Sequence, residues 1–171
     1  MWEFDGQKRP AFAVSPAHGQ ESVWDYPRPP RLAQDARRVE VRHGPHLIAD
    51  STRAWRVLET ASPPTFYLPV EDVAMEFLKP AAGNSFCEWK GSATYFTLAV
   101  SGVPGQPVAW SYLRPTAAFT RLAGCLSFYP GRVQCRVGGE LVRAQPGGFY
   151  GGWVTDEIGG PFKGEPGTGH W

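Results

Sequence analysis

Glycine and proline account for 37 of the 171 residues, 20 and 17 respectively, and no other feature limits the fold as strongly. Glycine weakens a helix interior and proline breaks it. The same residues suit short strands joined by tight turns. The expected fold is therefore all-β, with one or two short helices and extended, aromatic-rich termini. With 42% hydrophobic residues and seven Trp, the chain has the apolar material for a real core. Its length fits one domain with decorated ends.

Charge narrows the function classes. Seventeen basic residues face 16 acidic ones, for a formal charge of +1. No overall field for nucleic acid or anionic membrane results, although thirteen of the basic residues are Arg and local patches remain open. Three Cys at unrelated spacings argue against a disulfide framework and for a reducing compartment. No apolar run reaches membrane-spanning length, and Met1 to Gln20 lacks a signal-peptide core. A cytoplasmic protein with neither nucleic-acid nor membrane partner is expected, its oligomeric state left open.

Residues 1–37 mix Trp2, Phe4, Phe12, Trp24 and Tyr26 with Pro and charge and show no period; they read as an extended arm lying on the domain. The domain proper is expected over 38–145. It begins with a hairpin in which Val39 and Val41 alternate with Glu40 and Arg42 before His43-Gly44-Pro45-His46 turns. Asp50-Ser51-Thr52 is a candidate helix cap, but Trp55, Val57 and Glu59 alternate with Ala54, Arg56 and Leu58, which favours a strand. A strand at Thr65–Leu68 and a helical turn at Pro69–Met75 follow. Further strands are expected at Ser92–Val100, Val108–Leu113, Leu126–Tyr129, Arg132–Val137 and Glu140–Arg143, with a turn at Ser101–Gly105 and a short helix at Thr116–Gly124. Residues 146–171 are Gly-dense yet keep Phe149, Tyr150, Trp153, Phe162 and Trp171. They read as an ordered strap, because a flexible linker has no use for such aromatics.

The stretch Ser85 to Tyr95, S-F-C-E-W-K-G-S-A-T-Y, is chemically the densest part of the chain. It puts a thiol, a carboxylate, an ammonium and three aromatics around Gly91, where an irregular segment is expected to enter a strand. Phe86-Cys87-Glu88-Trp89-Lys90-Gly91 resembles the bacterial family called "domain of unknown function 427", sometimes filed under a nucleotidyltransferase label. The resemblance continues through Ala49-Asp50-Ser51, Leu58-Glu59-Thr60, Phe66-Tyr67-Leu68-Pro69, Glu71-Asp72-Val73, Trp110-Ser111-Tyr112 and Phe128-Tyr129, over roughly residues 38–143. It implies a mostly antiparallel fold similar to the β-tent group, in which two sheets meet at a steep angle, and no settled activity. No Gly-Ser pair followed by spaced Asp ligands supports the nucleotidyltransferase label. Some β-tent relatives hold zinc between Cys-x-x-Cys pairs, but Cys87, Cys125 and Cys135 have no such partners, and His43 and His46 supply two ligands at most. No metal and no cofactor are expected.

Lys90 is one of four lysines and sits between Trp89 and Gly91. It can pair with an anion or act as a low-pKa amine; the plainer alternative is a salt bridge to Glu59 or Glu88. Glu59 continues the face of Trp55 and Val57, as a carboxylate at a pocket rim or at a solvated strand end. Tyr67, Trp110 and Tyr112 form either a stacking wall for a ligand or ordinary core. Cys87 has no neighbouring His to act as base and reads as an inert thiol, and Asp72 as a polar residue of the short helix. Gly159-Gly160-Pro161-Phe162-Lys163-Gly164 reads as an anion-contacting loop or as part of the strap, the strap being preferred. Glu59, Tyr67, Lys90, Trp110 and Tyr112 are the candidate ligand-binding residues, with Glu59 and Lys90 also the candidate catalytic pair. Three functions follow: a small-molecule-binding domain, a hydrolytic or transfer enzyme on a small anionic substrate, or an interaction module using Arg28 to Arg42.

Overall fold

The computed structural model describes residues 2–100 and 106–171, so the turn expected at Ser101–Gly105 lies outside the described residues. The fold is mostly β, with antiparallel sheets. One four-stranded sheet has the spatial order Glu140–Leu141, Gln134–Val137, Val39–His43, His46–Ser51. A second has the order Leu126–Phe128, Ala109–Ser111, Gly91–Leu98, Leu78–Cys87. A three-stranded sheet, Arg31–Asp35, Ala54–Leu58, Thr65–Tyr67, joins the second through the Leu68–Leu126 bridge, whose amides exchange bonds of 2.8 and 2.9 Å.

Period-two alternation decides which side chains reach the main core. Val39, Val41 and Ile48 from the first sheet meet Phe66, Leu68, Ala109, Leu126 and Phe128 from the other two, with Trp153 of the C-terminal segment among them. The next residue along each of these latter strands points the other way. Tyr67 follows Phe66, Trp110 follows Ala109, and Tyr95 precedes Phe96; Tyr67, Trp110 and Tyr95 all belong to a second cluster. One face of the joined sheets therefore supplies the core. The opposite face carries the aromatic wall described below.

Local structure differs from the sequence reading in three places. Ala54–Leu58 is a strand as expected, but Arg31–Asp35 is also a strand, paired with it along its whole length. Its Pro-rich approach and the polar Arg31, Gln34 and Asp35 hide that pattern. Second, the segment before Lys90 is regular: Leu78–Cys87 is a ten-residue strand whose pairing with Gly91–Leu98 slips between Pro80 and Asn84. Pro80 has no N–H for the ladder, which an edge strand with a bulge tolerates. Third, the expected short helices are 3-10 turns, at Val70–Asp72, Met75–Phe77 and Ala117–Leu122. The last is interrupted at Phe119, yet buries Phe119 and Leu122 on one side as the spacing implied.

Both ends of the chain are folded against the sheets. Val23, Trp24, Tyr26, Leu58, Ala61 and Ile158 form a third buried cluster, with Phe4, Phe162 and Trp171 packed on it. Glu21–Ser22 pairs in parallel with Ile158–Gly159, and the Trp153 amide donates to Pro64 O at 2.8 Å. Among the described residues no helix is long and apolar enough to cross a membrane.

Candidate functional site

A cleft of about 630 Å³ opens on the aromatic face, and Glu59, Tyr67, Lys90, Trp110 and Tyr112 all line it. They reach it from strands, strand ends and a turn of the joined sheets. Tyr67 ends its strand, and Glu59 lies one residue past Leu58. Trp110 is central in Ala109–Ser111, with Tyr112 just beyond it. Lys90 occupies the turn between Cys87 and Gly91. Gly91 suits the turn because its φ is +97°, a backbone conformation that side-chain-bearing residues rarely adopt.

The aromatic wall is one hydrogen-bonded unit. The Trp110 indole N–H donates to the Tyr67 hydroxyl at 3.1 Å, and the two rings meet edge to face at 6.1 Å. Tyr129 packs on Trp110 at 4.6 Å, and Tyr112 lies 6.2 Å from Tyr67. Each such pair is worth about 0.5–1.5 kcal/mol beyond its burial. The Tyr67 phenol is raised above its ordinary pKa by burial, and Tyr112 likewise, with Tyr67 and Cys87 adding to the effect. Both are therefore neutral hydroxyls at physiological pH.

Lys90 is the unusual member. It is only 8% exposed, flanked by the Tyr112 and Phe119 rings at 5.8 and 5.9 Å. Among the described residues its ammonium has neither an ion pair within 4 Å nor an oxygen acceptor, so the expected alternative of a bridge to Glu59 or Glu88 is not made. Burial works to depress its pKa, but Tyr67, Cys87 and the Glu59 carboxylate around it outweigh burial and hold it above the usual lysine value. The Trp89 indole N–H, in the same turn, is buried without an acceptor, which costs roughly 1–3 kcal/mol.

Glu59 is tied to a different partner. Its carboxylate lies 3.5 Å from Arg28 Nε, and the Arg28 side chain is 2% exposed. Burial pulls the guanidinium below its ordinary pKa, with Glu59 opposing that most strongly. Arg28 also donates to the carbonyls of Phe4 and Thr60, both at 2.9 Å. The Glu59 charge is thus shared between a buried arginine of the N-terminal arm and the cleft.

Several cleft residues lie outside the five candidates. Lys163, 4% exposed, lines the cleft with its ammonium 4.2 Å from the Trp2 ring and donates to the main-chain oxygen of Trp171 at 2.9 Å. Burial and nearby Arg28 lower its pKa. The sequence signal was its place among few lysines in a Gly-rich run, but the third dimension was needed to bring it near Glu59. Trp2, Phe86, Phe149 and Tyr150 rim the mouth, at 37%, 75%, 78% and 40% exposure. Cys87 lines the wall as a half-buried thiol. Asp72 stands elsewhere, bound to Arg53 at 2.7 Å and to the Ser51 hydroxyl at 2.6 Å. His43 and His46 face each other across the hairpin end, His46 packed on Phe77 at 4.9 Å. Among the described residues no three His, Cys, Asp or Glu side chains group as metal ligands.

The profile of one protein family, described as "Domain of unknown function (DUF427)", matches residues 31–139. The chain belongs to this family. The match starts at Arg31, where the strand Arg31–Asp35 begins, and includes Glu59, Tyr67, Lys90, Trp110 and Tyr112. A search of curated proteins returns no match. Phe149, Tyr150 and Lys163, which come to the same cleft, lie beyond the matched span, so the C-terminal segment adds to the walls that the family domain builds.

Proposed function

We propose that this chain is a small-molecule-binding domain whose ligand enters the aromatic-walled cleft, with Lys90 and Glu59 as its polar anchors. The observation that carries this reading is Lys90, a residue only 8% exposed at the wall of an open cleft, with the Cys87 sulfur as its neighbour and neither an ion pair nor an oxygen acceptor among the described residues. A lysine that only braced the fold would be paired, because desolvating a lone charge is costly. The aromatic lining supplies the apolar contact that small-molecule sites use, and the few polar groups supply orientation. Hydrolysis or transfer is the weaker reading. Glu59 faces the buried Arg28 guanidinium, and it makes no ion pair with Lys90 among the described residues, so the two are not set up as an acid–base pair.

The test is mass spectrometry of small molecules released from the purified protein, wild type against Lys90→Met. The methionine keeps most of the stem, so the variant should fold with a melting temperature within a few degrees of wild type and lose the enriched compound. Absence of any compound enriched over a control protein would refute the reading. So would a Lys90→Met variant that is strongly destabilised while retaining the same compound.

A further inference from the structure

The cleft around Lys90 carries two carboxylates, Glu59 and Glu88, and several groups able to donate. Trp110 already donates to the Tyr67 oxygen at 3.1 Å, which directs the Tyr67 O–H proton away from that indole. Tyr112 is a neutral phenol beside the Cys87 thiol. The Trp89 indole N–H is itself buried and does not face the cleft space, while an ammonium has three donors and no lone pair. Of the two carboxylates, Glu59 is drawn toward Arg28 at 3.5 Å and Glu88 is exposed to solvent. A neutral or cationic ligand head would leave these donors unmatched.

Building on the binding reading, we propose that the ligand is a planar ring bearing a single carboxylate, its oxygens on Lys90 and the Tyr67 hydroxyl and its ring between the aromatic walls. Two observations set the charge at one. Lys90 is a single ammonium, and the carboxylates of Glu59 and Glu88 line the same cleft. A monoanion completes one ion pair; a dianion would bring a second negative charge toward Glu59. Lys163 and Arg132 do not change this balance, since the first is engaged by the Trp171 oxygen and the Trp2 ring and the second by the Pro107 carbonyl and the Tyr129 ring. The planar body follows from the walls. Tyr67, Trp110, Tyr112 and Tyr129 are packed on one another edge-on or tilted, and such surfaces favour flat, polarisable groups over chains.

Isothermal titration of the full chain with naphthoate, naphthamide and naphthyl phosphate tests the assignment. The acid and the amide have nearly the same shape and differ in charge. Naphthoate should bind at least tenfold more tightly than naphthamide, and naphthyl phosphate more weakly than naphthoate at a pH where it is a dianion. Lys90→Met should erase the acid–amide difference, and Tyr67→Phe should reduce it several-fold while keeping the ring. Equal binding of acid and amide by wild type would overturn the carboxylate assignment and leave the cleft a binding site for neutral rings. A preference for the phosphate would overturn the single charge. No binding of any of the three would overturn the ligand class, and the proposed function falls as well only if the purified protein also retains no compound. Should Lys90→Met fail to fold, the wild-type comparison and Tyr67→Phe still decide.

Discussion

Trp153 connects the C-terminal segment to the main core, and replacing it measures how firmly that segment is built in. The residue is fully buried, stacked on Phe66 at 4.8 Å with an interplanar angle of 24°. Its indole N–H donates to the Phe128 carbonyl at 2.9 Å. Trp153→Ala removes the largest side chain available, leaves a cavity between two sheets and strips that carbonyl of a donor. Such truncations cost about 3–5 kcal/mol, and a domain of this size loses roughly 2–4 °C of melting temperature per kcal/mol. The expected fall is about 6–20 °C in thermal unfolding followed by circular dichroism, with a matching drop in the urea midpoint. Trp153→Phe keeps a ring on Phe66 and loses the hydrogen bond and some volume, so it should cost about 1–2 kcal/mol. The contrast separates packing from hydrogen bonding. An alanine variant that melts within about 2 °C of wild type would show that the segment does not contribute to the core.

Three further outcomes are expected. Gly151→Ala would place a Cβ 2.2 Å from the Trp110 ring, so it should cost about 1–3 kcal/mol and disturb ligand binding, read by calorimetry on the same sample. The Asp35 carboxyl, 6% exposed, feels burial acting to raise its pKa, but hydrogen bonds from Arg37 dominate and hold it below its ordinary value. A depressed folded-state pKa gives stability that is complete above the unfolded value, near 4, and is lost as pH falls through the folded one. Urea midpoints should therefore drop on the acid side, and Asp35→Asn should flatten that limb while costing about 3 kcal/mol at neutral pH; an unchanged acid limb would refute the assignment. Elemental analysis should find no stoichiometric zinc, since the three Cys lack Cys-x-x-Cys spacing, and one zinc per chain would overturn this.

The legible parts of the fold were those with local signatures. The hairpin of Val39–His43 and His46–Ser51 showed in its alternation and its Gly-Pro turn. Ala54–Leu58 showed in the run that carries Trp55 and Val57. Arg31–Asp35 was illegible because a strand beside a stronger neighbour draws its pattern from that pairing, and its own residues are mostly polar. Leu78–Cys87 was hidden by Pro80 and Gly83, which a bulged edge tolerates. The same limits apply to the cleft. Glu59, Tyr67, Lys90, Trp110 and Tyr112 stood out because charge or a large aromatic fell beside a strand end, and the structure lines one concavity with all five.

By itself the sequence determined the class of fold, through Gly and Pro density and period-two alternation, since those act over a few residues. It also determined that an ammonium and a carboxylate would stand among aromatics. The tertiary structure alone decided who pairs with whom. Glu59 meets Arg28 of the arm rather than Lys90, and Lys163 and Tyr150 arrive from the far end of the chain to close the same cleft. Ion pairing and burial depend on distances across the fold, and residues separated by a hundred positions acquire those distances only when the sheets and both terminal segments pack together.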